Sequence, residues 1–317
     1  MRIFVTVSLY VLARERGADA ARAEFDRQLA APGRGSMPCV RAIARLRNYS
    51  DVAVRVDLGG SSAAKMRSRA ASAALEGMTE PGDVWLSIDD DVEATVDALR
   101  GLLEAAADPA PRAIIAPTWL RGLVSVPGQE AVPVVGVALD PEGLVRELAG
   151  GVRLAPALAG AFGLVAVNRA ALQAAAAVCE RFTDDDGAER FAFAHEMIAD
   201  GRWWGEDLSF FRRLPPEVRV EALLTGFTSH AGHVLPLDKL GECTLMSLPG
   251  FGRANAVERL PDEPAAAGDE AAAEDSHPEA PFEREPPTAA EPLASSPPAA
   301  AAAEAPGEPP TDPEPST

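Results

Sequence analysis

The sequence predicts an α/β domain with a mostly parallel central sheet flanked by helices, followed by a tail without a core. Three observations carry that reading. Short apolar runs alternate with helical stretches through the first half of the chain, as in βαβ architectures. One of these runs, 84–88, passes directly into Asp89-Asp90-Asp91, so carboxylates stand at the end of a strand, where open α/β sheets bind their ligands. Finally, the composition changes abruptly after about residue 252. Residues 261–317 hold 14 of the 28 prolines and 14 acidic residues against the single Arg284, a net charge of −13 within the chain's −19. Such a segment cannot bury enough apolar surface to offset its ordering entropy, so 253–317 is expected to be a disordered acidic tail and 1–252 one domain.

The elements follow in order. A first strand is expected at 3–9, then a helix at 18–29. The breaker Pro32-Gly33-Arg34-Gly35 separates it from a second helix at 38–47. Residues 52–58 alternate as a strand, and Gly59-Gly60-Ser61-Ser62 supplies a turn and a helix cap. The next helix, 63–75, carries Lys65, Arg67 and Arg69 in its first turns. Pro81-Gly82 introduces the 84–88 strand, with a helix expected at 93–106 behind the aspartates. Residues 113–116 form a strand closed by Pro117; 134–139 reads as a strand or hairpin arm; 163–167 is a strand backed by a helix at 169–181.

The residues themselves leave each candidate site with two readings. Asp89 and Asp91, one residue apart at a sheet mouth, suit a divalent cation carrying a diphosphate, since hard cations take oxygen ligands; the alternative is a solvated turn. Glu206 and Asp207 open a helix after Gly201-Arg202-Trp203-Trp204-Gly205, where the helix dipole alone favours acids. His230 and His233 leave an apolar strand into a Gly-containing loop, as a metal ligand or as structural residues. A second acidic run, Thr183-Asp184-Asp185-Asp186-Gly187, follows a helix end and reads as a solvated loop.

Charge and cysteine usage narrow the class. The acidic balance gives no general attraction to nucleic acid or anionic membranes. Cys39, Cys179 and Cys243 lack metal spacing and read as reduced thiols. Arg2 and the apolar start outline a signal peptide, but Arg14 and Arg16 follow at once, while Thr6 and Ser8 suit a strand. No stretch is long enough to span a bilayer. A cytoplasmic protein is expected.

Taken in order, these segments resemble the nucleotide-sugar-dependent glycosyltransferases of the GT-A fold, in particular the bacterial and phage group related to family 2. That group shows an Arg-x-Arg-Asn helix, an Asp-x-Asp strand end, a Gly-Phe-rich strand before Lys-Arg, a Gly-Arg-Tyr-x-x-Glu-Asp segment and a late His-x-Gly. Here Arg67-Ser68-Arg69-Ala70 takes the first place, with Ala70 for Asn, and Asp89-Asp90-Asp91 the second. The stretch 162–169 takes the third, with Asn168 for Lys. Residues 201–207 take the fourth and His230-Ala231-Gly232 the last. The resemblance covers about 2–245. It implies a GT-A-type single domain moving a sugar, hexosyl in type, from a UDP- or GDP-linked donor. Asp57 would contact the base, Asp89 the ribose or a metal-bound water, and Asp91 would ligate Mn²⁺ or Mg²⁺. His230 would be the third metal ligand, with His233 as its substitute. Arg67 and Arg69 would grip phosphate or base. Asp207 would take the acceptor's proton in an inverting reaction, and Glu206 would orient the acceptor or cap the helix. The acceptor stays open among a glycan, a lipid-linked sugar, a protein, a metabolite and a modified DNA base.

Two other classes fit paired carboxylates on an α/β sheet. A nucleotidyltransferase would need a Gly-rich basic loop after the first strand, which 8–16 does not offer. In a non-catalytic binding module the tail would be the working part and the domain a platform.

Overall fold

A computed structural model describes residues 1–9, 16–48, 51–58, 62–120, 133–248 and 251, all within one unit, Met1–Glu263. The expected tail, 253–317, lies outside the described residues, as does the side chain of Asp57. In chain order, β1 (Arg2–Leu9) leads to α1 (Ala18–Ala30) and α2 (Pro38–Leu46), then β2 (Asp51–Leu58), α3 (Ala63–Gly77) and β3 (Val84–Asp89). β4 (Val92–Ala94), α4 (Val96–Ala106), β5 (Arg112–Ile115), β6 (Val137–Leu139), β7 (Arg146–Glu147), β8 (Arg153–Gly160) and β9 (Leu164–Asn168) follow. The rest is α5 (Arg169–Ala176), the hairpins β10 (Arg181–Thr183)–β11 (Glu189–Phe191) and β12 (Met197–Ala199)–β13 (Arg202–Trp204), α6 (Glu206–Arg213), β14 (Arg219–Leu223), β15 (Phe227–His230) and β16 (His233–Pro236).

The architecture is mixed α/β. A nine-stranded sheet runs β2-β1-β3-β9-β5-β14-β8-β6, with β7 also on β8. β2, β1 and β3 are parallel, as are β5 and β14; β9 and β8 are inserted antiparallel, so every other strand of the sheet points the same way. Helices α1, α2 and α4 pack in sequence against one another, and α3 packs on both α5 and α6. β3, buried at its first five positions, is covered on both faces, which is why it reads as a continuous apolar run. The register aligns Ser8 with Asp57 on one side and Asp89 on the other, so three polar positions share one level at the carboxyl ends of the parallel strands.

A second sheet, β16-β15-β4, lies beside the first and corrects two sequence expectations. The helix expected from residue 93 begins at Val96, because Val92–Ala94 pairs with β15; the Thr95 hydroxyl accepts from the Ala98 N–H and caps the helix. The stretch ending in His230 is a hairpin arm. Ala231 and Gly232, both at positive φ, form its two-residue turn. Gly226, at φ 85°, admits the chain into β15, since a Cβ there would lie 2.7 Å from the Ala98 nitrogen. The helix expected at 169–181 also stops earlier, at Ala176, and Arg181–Thr183 is a strand.

Beneath the ends of β1 and β3 lies an aromatic cluster. Trp85 of β3 meets Phe162 and Phe210, and Phe162 stacks on Phe211 with ring centroids 5.7 Å apart. Trp85 also donates to the Thr6 hydroxyl at 3.1 Å, so its polar edge is satisfied within the core. Phe210 and Phe211 anchor α6, and the acids at that helix's first turn therefore have a fixed position. Behind α6, Arg212 lies over Trp204, whose ring is edge-on to Phe251. Phe251 is 9% exposed and closes this stack. Phe251→Ala should cost about 3 kcal/mol of stability, read as a lower urea midpoint at unchanged slope. An unchanged midpoint would show that Phe251 rests on the domain without supporting it.

Candidate active site

The carboxyl ends of β1 and β3, the start of α3, the start of α6 and the end of β15 converge on one cavity of about 570 Å³. Asp89, Asp90, Asp91, Glu206 and Asp207 line it, together with Arg67 and His230. Of the residues singled out in the sequence, Arg67, Asp89, Asp91, Glu206, Asp207 and His230 are thus brought together. Trp119 is also on its wall, with its indole N–H donated to the Val234 carbonyl.

Arg67 sits at the centre. One guanidinium nitrogen donates to Glu206 at 2.8 Å and to Asp207; the other reaches Asp89 at 3.4 Å. Its plane lies over the Phe162 ring, 4.9 Å from the centroid. The second oxygen of Asp207 accepts from the Phe162 backbone N–H at 3.3 Å. Asp207 is therefore held at both oxygens. Glycine at 163 is a packing requirement: a Cβ there would come 2.8 Å from the Thr118 hydroxyl on the cavity wall, while its carbonyl accepts the Asp89 N–H.

On the opposite wall, antiparallel pairing sets His230 opposite Val92, next to Asp91. The Ala231 N–H donates to the Asp91 carbonyl, and His230 Nε2 lies 3.3 Å from an Asp91 carboxylate oxygen. His230 Nδ1 donates to the Trp119 carbonyl, which fixes the ring. A protonated ring would pair directly with the Asp91 carboxylate, and a neutral one would leave two donor atoms that a cation could bridge. His233 is exposed at the far side of the turn.

Three expected positions fall out differently. Arg69 points away from the cavity, forming a two-pronged pair with Asp184 at 2.5 and 2.6 Å. Asp184, expected in a solvated loop, has a side chain only 1% exposed; with Asp185 it also binds Lys65, tying the β10–β11 hairpin to α3. The proposed metal trio is not drawn together either. Among the described residues no three His, Cys, Asp or Glu side chains converge as a metal site, because Asp89 turns to Arg67. A divalent cation in this cavity would have Asp91 and His230 as its protein ligands, with substrate oxygens completing its sphere.

Sequence reasoning missed Ser8, whose buried hydroxyl lines the cavity without a protein partner, and the N–H of Phe162. A serine at the last-but-one position of an apolar strand was the available signal. The three cysteines are free; burial pushes Cys39 up to about 12 and Cys179 to about 11, so neither is a thiolate near neutrality.

Burial dominates the acids. It raises the Asp89 carboxyl to about 6, with Arg67 pulling it down and Asp207 and Asp91 adding to the rise. Asp207 is likewise raised by burial; Arg67 opposes this, Glu206 reinforces it and the Phe162 N–H opposes it.

No protein-family model matches the sequence, and no curated protein does. Among solved structures the chain is similar to A197 from STIV, at 16% identity and a TM-score of 0.37 over 73% of this chain and 85% of that one. Likeness of that degree carries no argument about chemistry. Among the described residues no helix is long and apolar enough to cross a membrane.

An acid whose folded-state pKa is raised stabilises the fold only while protonated, and that contribution is lost as pH rises through the folded value. Asp89→Asn should therefore raise the melting temperature at about pH 7–8, with the gain shrinking as pH falls through about 6 towards 4. An Asn variant less stable at every pH would show that the pair with Arg67 outweighs burial.

Proposed function

We propose that this chain is a glycosyltransferase that moves a sugar from a UDP- or GDP-linked donor to an acceptor hydroxyl. One observation carries the reading: a single cavity has strand-end aspartates with a histidine on one wall and a helix-borne carboxylate pair on the other, with Arg67 between them. Group transfer from a diphosphate leaving group needs those two halves, one for the donor and one to activate the acceptor. The volume suits a sugar nucleotide. Five carboxylates against one guanidinium repel a bare diphosphate, which argues that the donor enters with a cation.

Asp91 and His230 are the proposed protein ligands for Mn²⁺ or Mg²⁺, with imidazole favouring Mn²⁺. When bound, the cation neutralises charge on the departing diphosphate. Asp89, with Asp57 at the same sheet level, orients the nucleoside. Asp207, held at both oxygens, keeps one geometry towards the acceptor and takes the hydroxyl proton in an inverting displacement. Glu206 beside it orients the acceptor.

Two variants should fail in different ways. Asp207→Asn keeps shape but cannot take a proton, so turnover should fall by roughly 10²-fold or more while donor and Mn²⁺ affinity survive. His230→Ala should weaken Mn²⁺-dependent binding of UDP or GDP in calorimetry and recover in part at high Mn²⁺, because mass action offsets a lost ligand. Normal turnover in the first and unchanged nucleotide binding in the second would overturn both roles. The same binding left intact in Asp91→Ala would remove the cation from the mechanism.

A further inference from the structure

We infer that Arg67 is the positioning residue of this site, joining the donor-side Asp89 to the acceptor-side Glu206 and Asp207, and is not a ligand for the donor's phosphates. The inference rests on the glycosyltransfer reading and adds a division of labour to it. A guanidinium has five N–H bonds, and the arrangement uses them unevenly. Both hydrogens of one terminal nitrogen go to Glu206 and Asp207, one of the other terminal nitrogen goes to Asp89, and the Nε hydrogen has no protein partner. Its face is covered by Phe162. Its side chain is 9% exposed, the least of the four charged groups in this cluster. With the Nε hydrogen buried, one terminal hydrogen beside Asp89 is left for a phosphate; to take more, it must displace carboxylates that have no other arginine or lysine pairing in this cluster and leave those desolvated acids unmatched. That exchange is unfavourable.

The geometry has a second consequence. The residue that orients Asp207 through its guanidinium also stacks on Phe162, whose backbone N–H holds the other Asp207 oxygen. Arg67 thus fixes the proposed base through one direct contact and one neighbouring support. Lysine keeps the charge but has neither the fork nor the flat face.

Arg67→Lys and Arg67→Ala should be assayed for donor hydrolysis at saturating Mn²⁺, with circular dichroism to establish folding. In Arg67→Lys kcat should fall by roughly 10²-fold, with donor KM within about threefold of the parent, since a small misplacement of a reacting group acts on turnover. Added guanidinium at millimolar concentration should restore part of the Arg67→Ala rate, and sodium chloride at equal ionic strength should not. A rise in donor KM at unchanged kcat would overturn the inference and make Arg67 a phosphate ligand. If the parent protein hydrolyses no sugar nucleotide, the glycosyltransfer reading falls, and Arg67 is then judged by unfolding. A double-mutant cycle of Arg67→Lys with Asp207→Asn should show coupling of roughly tenfold in the unfolding equilibrium. Additive effects would overturn the positioning role.

Discussion

Gathering five carboxylates around one cavity is unfavourable, and much of this structure is arranged around that constraint. Each acid loses hydration and faces others of its own sign. The local remedy is a single arginine, delivered from the second turn of α3 and shared among three of them. That remedy needs α3 and α6 at a fixed separation. The Phe162–Phe210–Phe211 cluster supplies it by anchoring α6 on Trp85 of β3. Asp91 is met by the smaller sheet, which brings His230 to it.

A similar logic governs the outer face of α3. Lys65 and Arg69 flank Arg67 in sequence but lie outside the cavity, and they are matched by Asp184 and Asp185 on the β10–β11 hairpin. The helix therefore distributes three cations between two acidic groups. The Arg69 guanidinium, helped by the Asp185 N–H and by Lys65, holds the Asp184 carboxyl well below the usual range against the opposing effect of burial, so this clamp stays charged throughout ordinary pH.

Much of this was legible in the residues because the strands of the sheet centre are covered on both faces. β1, β3 and β9 read as mostly apolar runs, and the acids at the end of β3 stood out against them. Asp89, Asp91, Arg67, Glu206, Asp207 and His230 share a cavity because each sits at the end or the opening turns of such an element. What stayed hidden depended on partners distant in sequence. β8 contains Pro156 and several alanines and has little strand propensity of its own; it forms because β14 and β6 flank it. β4 is three residues long and exists only through β15. Asp184 looked like a solvated acid because nothing local announces that Arg69 will cover it. The direction of Arg69 was hidden for the same reason, since the helix register alone cannot say which basic residue meets which acids.

The long reach of the ion pairs bears on how the domain comes into being. Arg67 finds Glu206 and Asp207 across separations of 139 and 140 residues, and Asp91 meets a histidine from the last hairpin. Contacts of that range form late, after the loops between them have closed. A chain emerging from the ribosome carries its strand-end aspartates long before it carries α6 or β15. Through that interval it has neither the proposed base nor the histidine, so on the proposed reading a half-made molecule could not transfer sugar. The cavity is complete only once this last part of the domain is in place.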